Sequence, residues 1–230
     1  MSLKRLLGAV LFLSGCCSLA QSVSPVIVEY KGKAAGQIAL VNNTLTPLAV
    51  VLEPRSFSIT PEGNGIYRPL DSSIHVKLSS TSARIDPGQT YYVFYSATAD
   101  KLPAWFTVYS VFSKVQHTGG LDVRILLPHT VYIYPKKQPA RVAVQVDPPV
   151  YSVRAGRVEC DIENNSAELT RVQEVRLTSA AKSESTAGFP LLPGGHRHLE
   201  LNWSEKEPPE TMVLQFAHNA LKEPIHSSDQ

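Results

Sequence analysis

The sequence predicts an all-β protein built from two immunoglobulin-like β-sandwich domains that are joined by a short hinge. Three observations carry this prediction. Runs of alternating apolar residues recur at short spacing along the 230 residues, and turn signals rich in glycine and proline separate them. No window shows a sustained helical period with capping residues. The composition, 43% hydrophobic and 18% charged, is typical of a globular chain rather than a disordered one.

Residues 1–20 predict an export signal. MSLKR gives a short basic start, and LLGAVLFL is an apolar run of the length of a signal core. This run is too short for a membrane span, which takes about 20 apolar residues. Two kinds of processing stay open. The small residues before Gln21 suit ordinary cleavage and free export, whereas LSGC resembles a bacterial lipobox that would lipidate Cys16 and tether the protein to a membrane.

The first predicted domain covers residues 22–136. Seven strand-like runs lie at 23–30, 36–43, 47–54, 74–80, 90–96, 105–115 and 119–135, separated by the turn signals PEGNG, DPG and TGG. Seven short strands in a little over 100 residues is the count expected of an immunoglobulin-like sandwich.

The segment YPKKQP, 134–139, predicts the hinge because it combines two prolines with two lysines. A smaller all-β domain follows over residues 140–219, with runs at 141–146, 156–164, 170–178, 196–203 and 211–217. We expect the tail after about 219 to be frayed. Two sandwiches joined by a short stiff linker would set a cleft between them.

The last run of the first domain, GGLDVRILLPHTVYIYP, predicts an unusually long strand with one apolar face. Its odd positions are Leu121, Val123, Ile125, Leu127, Val131 and Ile133, interrupted by His129. Pro128 cannot donate to a sheet ladder, which places this strand at a sheet edge. We expect His129 to be a partly exposed edge residue. An exposed apolar edge is an aggregation hazard, so a partner or self-association should cover it.

The remaining patterns do not predict an enzyme, a cofactor or a metal. The common nucleophile, zinc and phosphate-binding motifs are missing. His196 and His198 share a strand face, but zinc needs three or four ligands. Cys160 alternates with apolar residues and predicts a buried thiol. Three Asn-x-Ser/Thr triplets, at Asn42, Asn164 and Asn202, would matter only in a eukaryotic secretory pathway. The sequence holds 22 basic and 20 acidic residues, and removal of residues 1–20 takes away Lys4 and Arg5, so no nucleic-acid partner is indicated.

The order of several segments resembles the periplasmic chaperones of the chaperone–usher pilus pathway, the PapD-like family. The segments are VSPVIVEYKG, IALVNNTLTP, ARIDPGQTYYVFYS, ADKLP and the long strand ending in YIYP, followed in the second half by DIENNSAELTRVQEVRL and GFPLLPGG. The resemblance covers nearly all of residues 22–203. It implies a non-enzymatic periplasmic protein without cofactor or membrane span, whose partners are pilin subunits and an outer-membrane usher.

In that family the last strand of the first domain is donated to a pilin that lacks a strand, a form of β-augmentation. The resemblance places the donor positions on Leu121, Val123, Ile125 and Leu127. The family also anchors the pilin carboxylate with an arginine and a lysine in the cleft. Ile27 and Thr130 occupy those positions here, and neither is charged. The alternative is therefore an exported or lipid-anchored structural module with this fold that does not cap pilins.

Overall fold

The computed structural model describes residues 20–115, 123–137 and 143–228, and every regular element in these ranges is a β-strand. No helix within them is long and apolar enough to cross a membrane. The strands are β1 (Gln21–Ser24), β2 (Ile27–Lys31), β3 (Ala34–Asn42), β4 (Leu48–Ile59), β5 (Gly65–Pro69), β6 (Ile74–Leu78), β7 (Ser82–Ile85), β8 (Thr90–Ala99), β9 (Ala104–Lys114), β10 (Ile125–Tyr134), β11 (Val144–Val146), β12 (Val150–Ser152), β13 (Arg157–Asn164), β14 (Thr170–Arg171), β15 (Glu174–Thr178), β16 (Ser183–Ala187), β17 (Pro190–Leu191), β18 (His196–Asn202), β19 (Thr211–Gln215), β20 (Ala220–Pro224) and β21 (His226–Ser227).

The first half of the chain forms a sandwich of two sheets. One sheet has the order β1-β3-β8-β6, and the other has the order β2-β10-β9-β4-β5 with β7 beside β4. The run predicted as one strand over 23–30 is divided at Pro25 and Val26. β1 pairs with β3 in the first sheet, whereas β2 pairs in parallel with β10 in the second. This crossover places the N-terminal segment in both sheets.

The second half forms smaller sheets around a separate core. β11-β13-β12-β21, with β18 beside β13, faces β16-β15-β19-β20, and β14 pairs with β17. Cys160 is buried in this core, as predicted, and burial raises the pKa of its thiol to about 12. The prediction of a frayed tail after 219 is wrong. β20 pairs with β19, and Leu221 and Ile225 pack against the core.

Seven strands have no counterpart in the predicted runs: β5, β7, β12, β16, β17, β20 and β21. Every residue of β5 is exposed, and SESTA in β16 contains no large apolar residue. β5 and β16 form because the backbone of an adjacent strand, β4 or β15, provides hydrogen-bonding partners for a further strand. Apolar alternation cannot reveal a strand that is held by backbone hydrogen bonds alone.

A buried asparagine closes the same turn in each sandwich. The Asn42 side chain donates to the carbonyls of Thr46 and Ile85, and its Oδ1 accepts from Thr44. Asn164 repeats the arrangement with Glu168, Leu191, Leu192 and Ser166. Both asparagines are fully buried. Two of the three Asn-x-Ser/Thr triplets are therefore turns in which the side chain completes the backbone hydrogen bonding.

An apolar cluster joins the two halves of the chain. Phe57, Tyr132 and Tyr134 of the first half pack with Leu169 and Leu192 of the second. Trp105 packs against this cluster, and its indole N–H donates to the Phe57 carbonyl at 2.8 Å. Tyr132 and Tyr134 lie on β10, so the cluster connects this strand to the second sandwich. The hinge boundaries at 136 and 140 stay a prediction.

Candidate functional site

The long apolar strand divides into a core half and an exposed half. The observed strand, β10, begins at Ile125 and is shorter than predicted. Val131 and Ile133 are fully buried in the first core. Toward the start of the strand the exposed fractions rise to 39% for Ile125, 53% for Leu126 and 51% for Val123. The odd-numbered apolar face thus continues to Ile125 and Val123, beyond the core that it helps to build, and Leu126 exposes a further apolar side chain on the opposite face.

The two edges of β10 are not equally covered. β9 pairs with one edge from Ile125 to Ile133. β2 covers the other edge only from Thr130 to Tyr134. Within the described ranges, no strand pairs with residues 125–129 on that side. Their backbone groups offer a template for a further strand.

The predicted donor positions differ in how far their side chains are exposed. Val123 and Ile125 are exposed, whereas Leu127 is half-buried and packs against the first core. Leu121 lies outside the described residues. The assignment of these four positions to partner binding stays a prediction. The structure places Ile125 on the uncovered half of the edge and Val123 just before it.

The prediction that His129 is a partly exposed edge residue is wrong, because its side chain is fully buried. As an odd-numbered residue of β10, His129 directs its side chain into the sandwich, where both ring nitrogens contact polar groups. Nδ1 lies 2.5 Å from the Pro25 carbonyl, and Nε2 lies 3.1 Å from the Tyr95 hydroxyl. That hydroxyl is 3.0 Å from the hydroxyl of Tyr30. Burial lowers the pKa of His129 and raises the pKa of Tyr95.

Ile27 and Thr130, the two cleft positions identified by spacing, are brought together. They are direct partners in the parallel ladder between β2 and β10. Two residues further along this face, Tyr132 stands opposite Glu29, which contacts Arg171 of the second half at 3.4 Å. The charged contact across the cleft therefore lies beside the two neutral positions rather than at them.

A pocket of about 300 Å³ lies between the halves. It is lined by Glu29, Lys31, Tyr134, Glu168 and Arg171, among others. Glu29 accepts from the Tyr134 hydroxyl as well as from Arg171. The raised pKa of Tyr134 follows from burial first and then from the negative charge of Glu29. Glu29, Tyr134 and Arg171 are thus paired with one another in a polar cleft that contains both signs of charge.

The histidine pair on β18 is held by a carboxylate. Asp161 Oδ1 lies 2.9 Å from His196 Nε2 and 3.0 Å from His198 Nδ1. The hydrogen bonds from His198 and His196 hold the pKa of Asp161 below its ordinary value. In the described part of the chain no group of three or more His, Cys, Asp or Glu is arranged to hold a metal ion.

A further contact between the halves lies at the tip of the β4–β5 hairpin. The Pro61 carbonyl accepts from the His198 backbone N–H at 2.8 Å and from Arg197 Nη1 at 3.1 Å. The Arg197 guanidinium also lies over the Phe189 ring, 5.4 Å from its centroid. This contact, the apolar cluster and the Glu29–Arg171 pair all connect the two sandwiches.

No protein-family model matches the sequence, and no curated protein matches it. Solved structures do. A chain of the CsuC–CsuE chaperone–tip adhesion subunit pre-assembly complex, from the archaic chaperone–usher Csu pili of Acinetobacter baumannii, matches with a TM-score of 0.51 at 14% identity, over 91% of this chain and 100% of that chain.

Two further chaperones give the same result. The class 5 fimbriae chaperone CfaA matches with a TM-score of 0.53 at 11% identity, over 90% of this chain and 99% of that chain. The YadV chaperone matches with a TM-score of 0.53 at 13% identity, over 88% and 96%. Because the sequence identities are this low, the likeness shows the fold alone. It confirms the predicted all-β, two-domain immunoglobulin-like architecture of PapD-like chaperones.

Proposed function

We propose that the protein is a periplasmic chaperone that caps pilin-like subunits by donating β10 and passes them to an outer-membrane usher. The observation that carries this proposal is the uncovered edge of β10, where exposed apolar side chains continue the face of a core strand. The same fold in pilus chaperones supports it. We propose no enzymatic activity, because the common catalytic motifs are missing from the sequence.

Strand donation would use both features of this edge. The unpaired backbone groups of residues 125–129 would hydrogen-bond to an edge strand of the subunit. Val123 and Ile125, together with Leu121 and the partly exposed Leu127, would fill apolar pockets in the subunit. Complete burial of one such side chain contributes about 1.5–3 kcal/mol, so even two positions supply a substantial driving force.

The test is co-expression with the pilin-like subunits that the same genome encodes. The double variant Val123→Asp and Ile125→Asp places two charges on the donor face. We expect recovery of soluble subunit to fall strongly, because each carboxylate would enter an apolar pocket without a partner. The chaperone itself should stay folded, since both positions are exposed.

A matched control uses two other exposed apolar residues with the same spacing on a strand. Tyr92 and Phe94 on β8, in the other sheet, are 51% and 59% exposed. Tyr92→Asp with Phe94→Asp should leave subunit recovery unchanged. Equal recovery with the donor-face variant and the wild type would refute strand donation.

The neutral pair of Ile27 and Thr130 favours a second candidate function. An exported or lipid-anchored module with the same fold would need no charged anchor for a subunit carboxylate. Incorporation of labelled palmitate at Cys16, together with neighbouring genes that encode neither usher nor pilin, would support this candidate and count against the chaperone proposal.

A further inference from the structure

We propose that His129 is a positioning residue that fixes where the covered part of the β10 edge ends and the free part begins. The role follows from its contact with the segment that crosses between the two sheets. The functional meaning of that boundary rests on the proposed function, because the free part is where a subunit strand would bind.

The crossover is held by two successive carbonyl groups. The Pro25 carbonyl contacts His129 Nδ1 at 2.5 Å, and the Val26 carbonyl accepts from the Thr130 backbone N–H at 2.7 Å. Both partners are neighbours on β10. A side chain and a backbone amide therefore hold the crossover at the point where β2 begins to cover the strand.

Little else holds this segment in place. The side chains of residues 24–27 are all exposed, and Val26 is 53% exposed. Apolar burial therefore contributes little to the position of the crossover. The residues on either side of Pro25 and Val26 belong to different sheets: Ser24 is the last paired residue of β1, and Ile27 is the first paired residue of β2. Among the described residues, two hydrogen bonds from β10 reach the carbonyls of Pro25 and Val26, and the His129 side chain donates one of them.

The hydrogen bonds around the imidazole require one neutral tautomer. A carbonyl can only accept, so Nδ1 carries the proton and donates to Pro25. Nε2 then accepts from the Tyr95 hydroxyl, which can accept in turn from Tyr30. This chain of bonds joins β10, β8 and β2 to the crossover. A phenylalanine or leucine at 129 would fill the space and leave the Pro25 carbonyl without this donor.

Acid should weaken this arrangement. A proton on Nε2 turns the acceptor into a donor and places a positive charge at a fully buried position. The titratable groups that reach the ring are Tyr95 of β8 and, behind it, Tyr30 of β2. On β9 its ladder partner is the uncharged Val108, and Thr107 contacts only the His129 carbonyl. Among the described residues none of these groups offers a carboxylate to compensate the charge.

Two amide variants separate the two halves of the network. In His129→Asn the amide nitrogen takes the place of Nδ1 and can still donate to Pro25, while the contact with Tyr95 is lost. In His129→Gln the amide reaches the place of Nε2, which keeps Tyr95 and loses Pro25. Both variants remove the ring, and a residue with only a packing role would lose more with the smaller asparagine than with glutamine, which is the opposite of the order expected here.

The measurement is amide hydrogen exchange at Thr130, whose N–H bonds to the Val26 carbonyl, in the purified full chain without subunit. We expect exchange in His129→Gln to rise by about tenfold or more, because loss of one buried hydrogen bond changes local opening on that scale. His129→Asn should stay close to wild type. Amides of β3 and β8, on a separate ladder of the same sandwich, serve as the reference.

Three outcomes would overturn the proposal: equal effects of both variants, no effect of His129→Gln, or an effect that spreads to β3 and β8. If His129→Gln does not fold, Tyr95→Phe and the wild type complete the test. Tyr95→Phe should keep Thr130 protected. The wild type, corrected for intrinsic exchange, should lose protection at Thr130 as the pH falls through the ordinary titration range of histidine, and a flat profile would contradict the role.

Subunit recovery then separates this inference from the proposed function. If strand donation is correct, His129→Gln should recover less co-expressed subunit than His129→Asn. If Val123→Asp with Ile125→Asp leaves recovery unchanged, the chaperone proposal fails, while the exchange result at Thr130 still decides whether His129 fixes the boundary.

Discussion

Thr130 of β10 and Ile27 of β2 are direct partners in a parallel ladder, so their side chains lie on the same face of the sheet. Tyr132 and Tyr134 lie on this face too and pack against the second half of the chain. The two positions that the family resemblance assigns to a charged anchor are therefore adjacent and directed toward the cleft. The two anchor positions are neutral because of the residues that occupy them, and not because the strands are shifted in register.

Restoring charge at these positions should be tolerated. In Ile27→Arg with Thr130→Lys, we expect the free energy of unfolding to change by less than about 1 kcal/mol. Ile27 is 40% exposed, and a long basic side chain at 130 can extend toward solvent. Urea unfolding measures the effect.

The next rung of the same ladder provides the control. Val28 and Val131 are also partners, but both face the first core, and Val131 is fully buried. Val28→Arg with Val131→Lys should destabilise by several kcal/mol or prevent folding, since it buries charges without partners. Similar losses for both pairs would show that Ile27 and Thr130 do not face the cleft.

A second prediction concerns the division of β10 into two halves. Ile133→Ala should lower the free energy of unfolding by about 2–5 kcal/mol, because it opens a cavity in the first core. Ile125→Ala should cost less than about 1 kcal/mol, because Ile125 already contacts solvent. Denaturant midpoints of the two variants test this. A large loss at Ile125 would mean that the free half of the strand is needed for the domain's own stability.

The sequence predicts the strands that bury one apolar face, which is why β3, β8, β9, β13 and β19 are recovered from alternation alone. It does not reveal β5 or β16, whose residues are polar or exposed and whose pairing depends on a neighbour. The free edge follows from Pro128 and the one-faced pattern. The burial of His129 does not, because its partners, Pro25 and Tyr95, are 104 and 34 residues away. The repeated Asn-Asn-Thr and Asn-Asn-Ser segments are visible in the sequence, but the bonds of Asn42 and Asn164 to distant carbonyls are not.

The buried turn asparagines provide a third prediction. Asn42→Asp keeps the shape of the side chain but replaces its two donated hydrogen bonds with a carboxylate facing the carbonyls of Thr46 and Ile85. We expect a loss of about 2–4 kcal/mol in the free energy of unfolding at neutral pH. Asn43→Asp is the matched control, since this adjacent residue is exposed. Equal melting temperatures of the two variants would show that the turn does not depend on the buried Asn42 amide.

The last prediction concerns acid stability. Burial lowers the pKa of His129 below its ordinary value of 6.5, so the folded protein binds fewer protons at this site than the unfolded chain. The contribution of His129 is complete above the unfolded pKa. It declines as the pH falls through that value and levels off below the folded pKa.

The sequence has seven histidines, so the contribution of one residue must be isolated by difference. Urea unfolding of wild type and His129→Asn at about pH 7.5 and about pH 5 brackets the ordinary titration range of histidine. We expect the wild type to lose more stability between these two values, because the asparagine cannot take up the proton. Equal losses of stability in both proteins would mean that His129 does not titrate in this window. A greater loss in the variant would mean that folding raises the pKa of His129 instead of lowering it.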